Sequence, residues 1–276
     1  MRYRGGVNEP SLEERWRLLL TDGRAGLVSR RPFFRRLPSP PRCKLCAAPF
    51  AGVGGFFLRP AGYVPWEKNP SLCRRCITSL EEGGAGGAEV SCTLLFADVR
   101  GSTGLAERIG SAAFSALLGR FYSVASAAIV DTDGVVDKFV GDEVVGLYLP
   151  VFAGGRHSAS ALRAAEQILA ETGHRRAQEP WIPVGVGVHA GPAFVGTVGG
   201  VGEVRDFTAL GDTVNSAARL ASAAADGEVL VSEDALELAG LDPGGLERRV
   251  LTLRGREAPL PVRVATIGSF PATPVA

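Results

Sequence analysis

The chain has 276 residues, 46% of them hydrophobic and 21% charged, so it is long enough to form a sizeable core, and most of it carries no sign of disorder. The net charge of +1 hides an asymmetry, because residues 1–80 carry 15 Lys and Arg against 5 Asp and Glu, whereas the remainder carries 15 against 24. No uninterrupted apolar span reaches the roughly 18 residues of a membrane helix and no signal-peptide core is present, so we predict a soluble cytoplasmic protein without a membrane partner.

Residues 1–40 predict a short helix followed by a basic linker. Ser11-Leu12-Glu13-Glu14 is a capping-box sequence that opens an amphipathic helix through Leu20. Residues 30–36 then mix four Arg with two Phe around one Pro. We interpret them as a solvated linker whose Phe residues pack on the neighbouring domain. Contact with nucleic acid or with an acidic partner is the less favoured alternative, because a short Arg cluster without a docking fold is weak evidence.

Residues 41–80 predict a small metal-binding module. Cys43 and Cys46 form one Cys-x-x-Cys pair, and Cys73 and Cys76 form another. This spacing resembles a zinc ribbon, in which four thiolates hold one Zn²⁺ tetrahedrally. An iron–sulfur cluster is the main rival, and disulfides are disfavoured in a reducing cytoplasm. The fifth cysteine, Cys92, falls inside a predicted strand and is expected to be a small buried hydrophobe.

Residues 81–89, which are rich in Gly, predict a flexible hinge between this module and a larger domain over residues 90–267. Residues 268–276 are expected to form a flexible tail. Within the larger domain, apolar runs and periodic stretches predict strands at 90–97, 134–140, 144–149, 182–188, 227–232 and 261–267, and helices at 112–129 and 158–171.

Two aspartates at the ends of predicted strands suggest a magnesium site. Asp98 follows the first strand, and Asp142 lies in the tight turn that joins the second and third strands. Mg²⁺ prefers oxygen ligands and is held by one or two carboxylates together with substrate phosphates. The sequence Gly101-Ser102-Thr103 after Asp98 leads into a helix whose backbone N–H groups can face phosphate oxygens. Each aspartate taken alone is also explained as an ordinary turn residue.

A third segment, residues 206–220, favours a functional site over the interpretation of the two aspartates as ordinary turn residues. Asp212 is a good helix N-cap, and Asn215 and Arg219 fall one turn apart on one face of the predicted helix. A neutral amide and a guanidinium therefore point the same way.

Taken in order, these motifs resemble the catalytic domain of the class III adenylate and guanylate cyclases. The resemblance runs from about Val90 to about Ile267 and includes the segment Gly185-Val186-Gly187-Val188-His189-Ala190-Gly191-Pro192. It implies an α+β architecture, namely a ferredoxin-like βαββαβ cyclase domain preceded by the small Cys₄ module.

The resemblance also implies roles for individual residues. Two metal ions, Mg²⁺ or Mn²⁺, would be held by Asp98, Asp142 and the carbonyl of Val99. Asn215 would orient the ribose, and Arg219 would stabilise charge on the transferring phosphoryl group. Arg254 lies where family members carry a basic residue for the terminal phosphates.

Lys138 and Thr208 fit the pair of residues with which the family selects adenine. A lysine donates to a ring nitrogen and a hydroxyl can accept from the exocyclic amine, whereas guanine needs the reverse pattern. The resemblance therefore implies an adenylate cyclase, a phosphorus–oxygen lyase that makes 3′,5′-cyclic AMP from ATP in intracellular signalling. The resemblance also implies that each site is shared between two subunits, with the metal aspartates of one facing the base-reading and transition-state residues of the other. Because this chain carries both sets of residues, the resemblance implies a homodimer with two equivalent sites. The alternatives are a guanylate cyclase, a catalytically silent nucleotide-binding module, or a nucleic-acid-binding Cys₄ protein.

Overall fold

The structure is a computed structural model that describes residues 10–22, 30–37, 40–67, 70–82, 86–175, 180–199, 206–252 and 259–270. The strands are β1 (Gly86–Val99), β2 (Val135–Val140), β3 (Glu143–Tyr148), β4 (Val184–Val198), β5 (Asp206–Leu210), β6 (Val229–Ser232), β7 (Glu247–Leu251) and β8 (Leu260–Ala265). The helices are α1 (Leu12–Asp22), α2 (Arg31–Arg35), α3 (Gly52–Leu58), α4 (Arg74–Glu82), α5 (Ser102–Ile109), α6 (Ser111–Asp131), α7 (Pro150–Ala153), α8 (His157–Leu169), α9 (Asp212–Ala223) and α10 (Glu233–Ala239).

The described strands form one mixed sheet in the order β2-β3-β1-β4-β6-β8-β7, with β5 paired to β4. β1 is antiparallel to both β3 and β4, whereas β4 and β6 are parallel. The order β1-α6-β2-β3-α8-β4 along the chain is the βαββαβ arrangement. The predicted α+β, ferredoxin-like fold is therefore confirmed.

Side chains alternate across β1 and so divide the core between the two faces of the sheet. Leu95 and Ala97 point to the face covered by α6, α8 and α10. Leu94 and Phe96 point to the opposite face, where they share a core with α1, α9 and the cysteine module. Cys92 lies in this second core and is fully buried, as predicted.

The capping box at the start of α1 is confirmed. The Ser11 N–H donates to the Glu14 carboxylate at 2.8 Å, and the Glu14 N–H donates to Ser11 Oγ at 3.2 Å. The helix then buries Trp16, whose ring stacks on Phe207 of β5 with centroids 6.4 Å apart. The N-terminal helix is thus packed against the larger domain.

The predicted hinge over residues 81–89 is wrong in its second half. Residues 83–85 lie outside the described residues, but Gly86–Glu89 belong to β1, where Gly86 pairs with Thr197 and Gly87 with Gly196. A Cβ on Gly86 would lie 3.1 Å from both Leu12 and Trp16 of α1. Gly86 therefore allows α1 to approach β1 closely. In the sequence alone, a glycine with this role cannot be distinguished from a glycine in a flexible segment.

The predicted flexible tail over residues 268–276 also needs correction at its start. The Gly268 N–H donates to the Glu166 carboxylate of α8 at 2.9 Å, and Phe270 packs against the core beneath α8. Residues 271–276 lie outside the described residues.

The cysteine module is tied to the larger domain by Lys44. Its Nζ donates to the Val130 carbonyl at 2.9 Å and forms an ion pair of 2.6 Å with Asp133. Both acceptors lie at the C-terminal end of α6, just before β2. These contacts join residues that are far apart in the chain, and they fix the position of the cysteine module relative to α6 and β2.

Among the described residues, α6 is long and apolar enough to cross a membrane by length and composition alone. The sequence alone predicts no such span, because Arg120 interrupts the apolar run. Phe121, Ala125 and Ile129 of α6 are buried in the core that the helix shares with β1 and α8.

Replacing Trp16 with Ala is expected to lower the free energy of unfolding by about 3–5 kcal/mol, because the substitution removes a buried aromatic ring and leaves a cavity above Phe207. Urea denaturation monitored by circular dichroism measures the change. Leu18→Ala on the same helix is the matched control, because Leu18 is 41% exposed, and it should cost less than about 1 kcal/mol. Equal effects of the two substitutions would contradict the docking of α1.

Candidate active site and cysteine cluster

Asp98 and Asp142 lie at one edge of the sheet because β1 and β3 pair up to their ends. Asp98 is opposite Glu143 in the register, and the Val99 N–H donates to the Asp142 carbonyl at 3.3 Å. Asp142 is held by the tight β2–β3 turn, where Gly141 takes a left-handed φ of 60°. Both aspartates are partly exposed. The two predicted carboxylates are therefore brought to the same end of two neighbouring strands.

Arg100 is a further charged residue at this edge, and no short sequence motif marks it. Its guanidinium forms an ion pair with Asp98 and also donates to the Ser222 carbonyl at 2.8 Å, near the end of α9. Burial lowers the pKa of Arg100, and the negative charge of Asp142 opposes that fall. Its position two residues after Asp98 is the only signal that the sequence offers.

Glu143 adds a third carboxyl group beside the two aspartates. Burial, reinforced by the charge of Asp142, raises the pKa of Glu143 to about 7. Like charges this close repel one another, and a bound cation relieves that repulsion. Carboxylate oxygens are preferred ligands of hard divalent cations, so the chemistry of the side chains at this edge suits such a cation.

Helix α5 begins immediately after this acidic edge. Gly101 is its N-cap, with a left-handed φ of 62°, and the helix starts at Ser102 and Thr103. The free N–H groups of this first turn carry the positive end of the helix dipole, which suits a phosphate group.

Lys138 and Thr208 are in direct contact, although 70 residues separate them in the chain. Lys138 Nζ donates to Thr208 Oγ1 at 2.9 Å. Thr208 in turn donates to Asp137 Oδ2 at 3.0 Å. The two residues predicted to read the base are therefore in contact within one chain, and the buried Asp137 lies beside them.

Helix α9 lies directly on β4, and Gly187 makes this possible. A Cβ there would lie 2.3 Å from the Ala221 nitrogen and 2.6 Å from the Ala217 carbonyl, both in the backbone of α9. Any side chain at position 187 would push the helix away from the sheet. The helix is thereby held at a fixed height above the strand.

The predicted N-cap of α9 is wrong by one residue. Gly211 is the N-cap, and Asp212 is the first residue inside the helix. Aspartate is favourable both at the N-cap and in the first turn, where it complements the helix dipole, so the sequence does not distinguish these two positions for Asp212. Asn215 is exposed and Arg219 is partly buried, and neither side chain makes a hydrogen bond or ion pair within the described part of the chain. Arg254 lies outside the described residues.

A comparison with known protein families identifies this arrangement. The sequence model of the adenylate and guanylate cyclase catalytic domain matches residues 88–256, which is more than half of the chain. The chain belongs to this cyclase family. The match begins near the start of β1 and contains the candidate site residues Asp98, Lys138, Asp142, Asn215 and Arg219.

Curated relatives of the cyclase domain include two adenylate cyclases. "Adenylate cyclase 1" of Rhizobium meliloti is 33% identical over 163 residues, which cover 57% of this chain and 24% of that protein. The adenylate cyclase of Anabaena cylindrica is 31% identical over 167 residues, which cover 57% of this chain and 32% of that protein. The chain thus spans about a quarter to a third of these relatives.

Solved cyclase structures share the fold. The guanylyl cyclase Cya2 superposes with a TM-score of 0.58 at 24% identity, covering 66% of this chain and 95% of that one. The adenylyl cyclase CyaB from P. aeruginosa superposes with a TM-score of 0.54 at 26% identity, covering 64% and 94% respectively. Both kinds of nucleotide cyclase therefore occur among the structural neighbours.

The cysteine cluster precedes the cyclase match. Its four Sγ atoms, from Cys43, Cys46, Cys73 and Cys76, all lie within 4.8 Å of one another and are buried. The Cys73 N–H donates to Cys43 Sγ at 3.2 Å. Hydrogen bonds from the other three thiols, that of Cys46 first, lower the pKa of Cys43. The predicted grouping of the four cysteines is confirmed, and four sulfur ligands so close together can hold one metal ion.

Purified protein is expected to contain about one metal ion per cysteine cluster, measured by inductively coupled plasma mass spectrometry. Cys46→Ser should remove it and lower the melting temperature, because structural metal binding contributes directly to folding. Cys92→Ser is the matched control and should keep the metal, since Cys92 lies in the sheet outside the cluster. A metal-free protein that is equally stable would contradict a structural metal site.

Proposed function

We propose that this protein is an adenylate cyclase that converts ATP to 3′,5′-cyclic AMP and pyrophosphate at a homodimer interface, in cytoplasmic signalling. The ribose 3′ oxygen attacks the α-phosphorus, the bond from that phosphorus to the oxygen bridging the α and β phosphates breaks, and pyrophosphate leaves. The 3′ hydroxyl proton is lost in the same process. The observation that carries the proposal is the combination of an acidic edge and a Lys138–Thr208 pair on one cyclase fold.

The acidic edge supports a divalent metal site. Asp98, Asp142 and the carbonyl of Val99 would hold two Mg²⁺ or Mn²⁺ ions. When bound, these ions lower the barrier to losing the 3′ hydroxyl proton and neutralise charge on the leaving phosphates. For the cysteine cluster we propose Zn²⁺, because four thiolates in two Cys-x-x-Cys pairs suit it best, with an iron–sulfur cluster as the alternative.

Side chains of the cyclase domain would do the remaining work. Asn215 would hold the ribose, and the guanidinium of Arg219 would stabilise the charge that develops on the transferring phosphoryl group. Arg254 would bind the terminal phosphates. The first turn of α5, at Gly101 to Thr103, would receive phosphate oxygens on its N–H groups.

The contact between Lys138 and Thr208 favours ATP over GTP. The lysine can donate to a ring nitrogen of adenine, and the threonine oxygen can accept from the exocyclic amine. Guanine presents an acceptor and a donor in the opposite positions, so both contacts would be mismatched.

A homodimer is supported by exposed apolar residues beside the site. Phe139 and Val140, which follow Lys138, are 49% and 51% exposed, and Leu210, two residues after Thr208, is 45% exposed. Exposed apolar clusters commonly mark protein interfaces. In the proposed dimer, the carboxylates of one subunit would face the Asn215 and Arg219 side chains of its partner, so both subunits would complete each site.

Two inactive variants should therefore restore activity when they are combined. Asp98→Asn and Arg219→Ala should each lower the rate of cyclic AMP formation by at least 10²–10³. Mixed dimers of the two variants contain one intact site, so an equimolar mixture that has exchanged subunits should recover roughly a quarter of the unmutated activity. Cyclic AMP is measured by chromatography after incubation with ATP and Mg²⁺ or Mn²⁺.

Arg248→Ala is the matched control for Arg219→Ala, because Arg248 lies on β7 and is paired with Glu233. Failure of the mixture to recover activity would contradict the shared site. Efficient turnover of GTP in place of ATP would identify a guanylate cyclase. Binding of nucleotide without turnover would indicate a silent module.

A further inference from the structure

Asp137 is a buried acid beside Lys138 and Thr208. Its side chain is 1% exposed. Oδ2 accepts from Thr208 and lies 3.5 Å from Lys138 Nζ, whereas Oδ1 has no hydrogen-bond partner among the described residues. Burying a carboxylate lowers the stability of the fold unless the carboxylate is paired, so an acid at this position is expected to have a specific role.

Asp137 and Lys138 also line a cavity of about 470 Å³. α6 contributes Ser126 and Ala127 to its wall, and the cysteine module contributes Glu67. The buried acid is therefore at the edge of a space large enough for a small molecule rather than inside a closed core.

The hydrogen bonds around Thr208 leave its hydroxyl only one way to meet a ligand. A threonine hydroxyl has one proton and two lone pairs. The proton is given to Asp137 at 3.0 Å, since the other available acceptor, the Ala209 carbonyl, is 3.4 Å away. One lone pair accepts from Lys138. The second lone pair remains, so toward a ligand Thr208 is an acceptor.

We propose that Asp137 is a positioning residue that makes the nucleotide site select 6-amino purines, because it holds the Thr208 hydroxyl as an acceptor. This inference rests on the proposed nucleotide cyclase function. An exocyclic amine at position 6 donates to that acceptor, whereas a 6-oxo group brings a second acceptor against it. Without Asp137, the hydroxyl is free to rotate and donate to a 6-oxo group, and the discrimination at this position is lost.

ATP and inosine triphosphate test the inference most directly. The inosine base carries a 6-oxo group, like guanine, but no 2-amino group, so the comparison isolates the edge that Thr208 and Lys138 read. Both nucleotides are supplied together and both cyclic products are measured, so the ratio of their kcat/KM values does not depend on the fraction of active protein. The unmutated protein should prefer ATP.

Asp137→Ala should lower that ratio about tenfold or more, which is the usual effect of one hydrogen bond on discrimination. Asp137→Asn should keep most of it, because the amide oxygen can still accept from Thr208. Thr208→Val should lose the preference to a similar degree, and adding Asp137→Ala to it should change the ratio no further, since Asp137 acts only through the hydroxyl. Asp131→Ala, an exposed acid at the end of α6, is the matched control.

An unchanged ratio in Asp137→Ala, with activity lowered equally for both nucleotides, would overturn the inference and leave Asp137 a purely structural residue. So would an unmutated protein that prefers inosine triphosphate, although the cyclase function would then stand. If the unmutated protein forms no cyclic product, the ratio of dissociation constants for the two nucleotides, measured by calorimetry, replaces the kinetic ratio. The same shift in Asp137→Ala would then support the inference although the proposed catalysis had failed.

Discussion

The pairing of β1 with β4 is the interaction on which the rest of the structure depends. The two strands are in antiparallel register from Gly86 opposite Thr197 to Val99 opposite Val184. One end of β1 carries Asp98 to the acidic edge, and the other end receives α1 through Gly86. Antiparallel pairing over this length sets the distance between the two regions, because every backbone hydrogen bond of the ladder resists a shift in register.

β4 also positions the residues for which nucleotide contacts are proposed. Gly187 sets the height of α9 above the sheet, and with it the positions of Asn215 and Arg219. Farther along β4, residues 194–198 pair with β5, which carries Thr208. The residues proposed to contact the ribose, the phosphoryl group and the base are therefore all positioned by β4. A local change in β4 would disturb several of these contacts together.

The sequence predicts residues whose chemistry is tied to a short local motif. Asp98, Asp142, Lys138 and Thr208 can be predicted as a candidate site because each belongs to a recognisable segment, and the order of those segments predicts the fold that the structure shows. Gly86 was misread because glycine gives the same signal whether it allows flexibility or close packing. Asp137 and Arg100 cannot be predicted in this way, because their burial and their partners far along the chain, Thr208 and Ser222, are visible only in the structure.

The cysteine module and β2 are linked by a short path of contacts. Lys44 lies between Cys43 and Cys46, two of the four clustered cysteines, so its backbone moves with the cluster. Its ammonium group holds Val130 and Asp133 at the turn that enters β2, the strand that carries Asp137 and Lys138. A displacement of the cluster must therefore either break the Lys44 contacts or move the start of β2. Since the Lys44–Asp133 pair is partly exposed, screening by solvent weakens it, so breaking it is the more favourable of the two outcomes. The buried residues of the module, which share a core with Trp16 and Phe207, would then keep it attached.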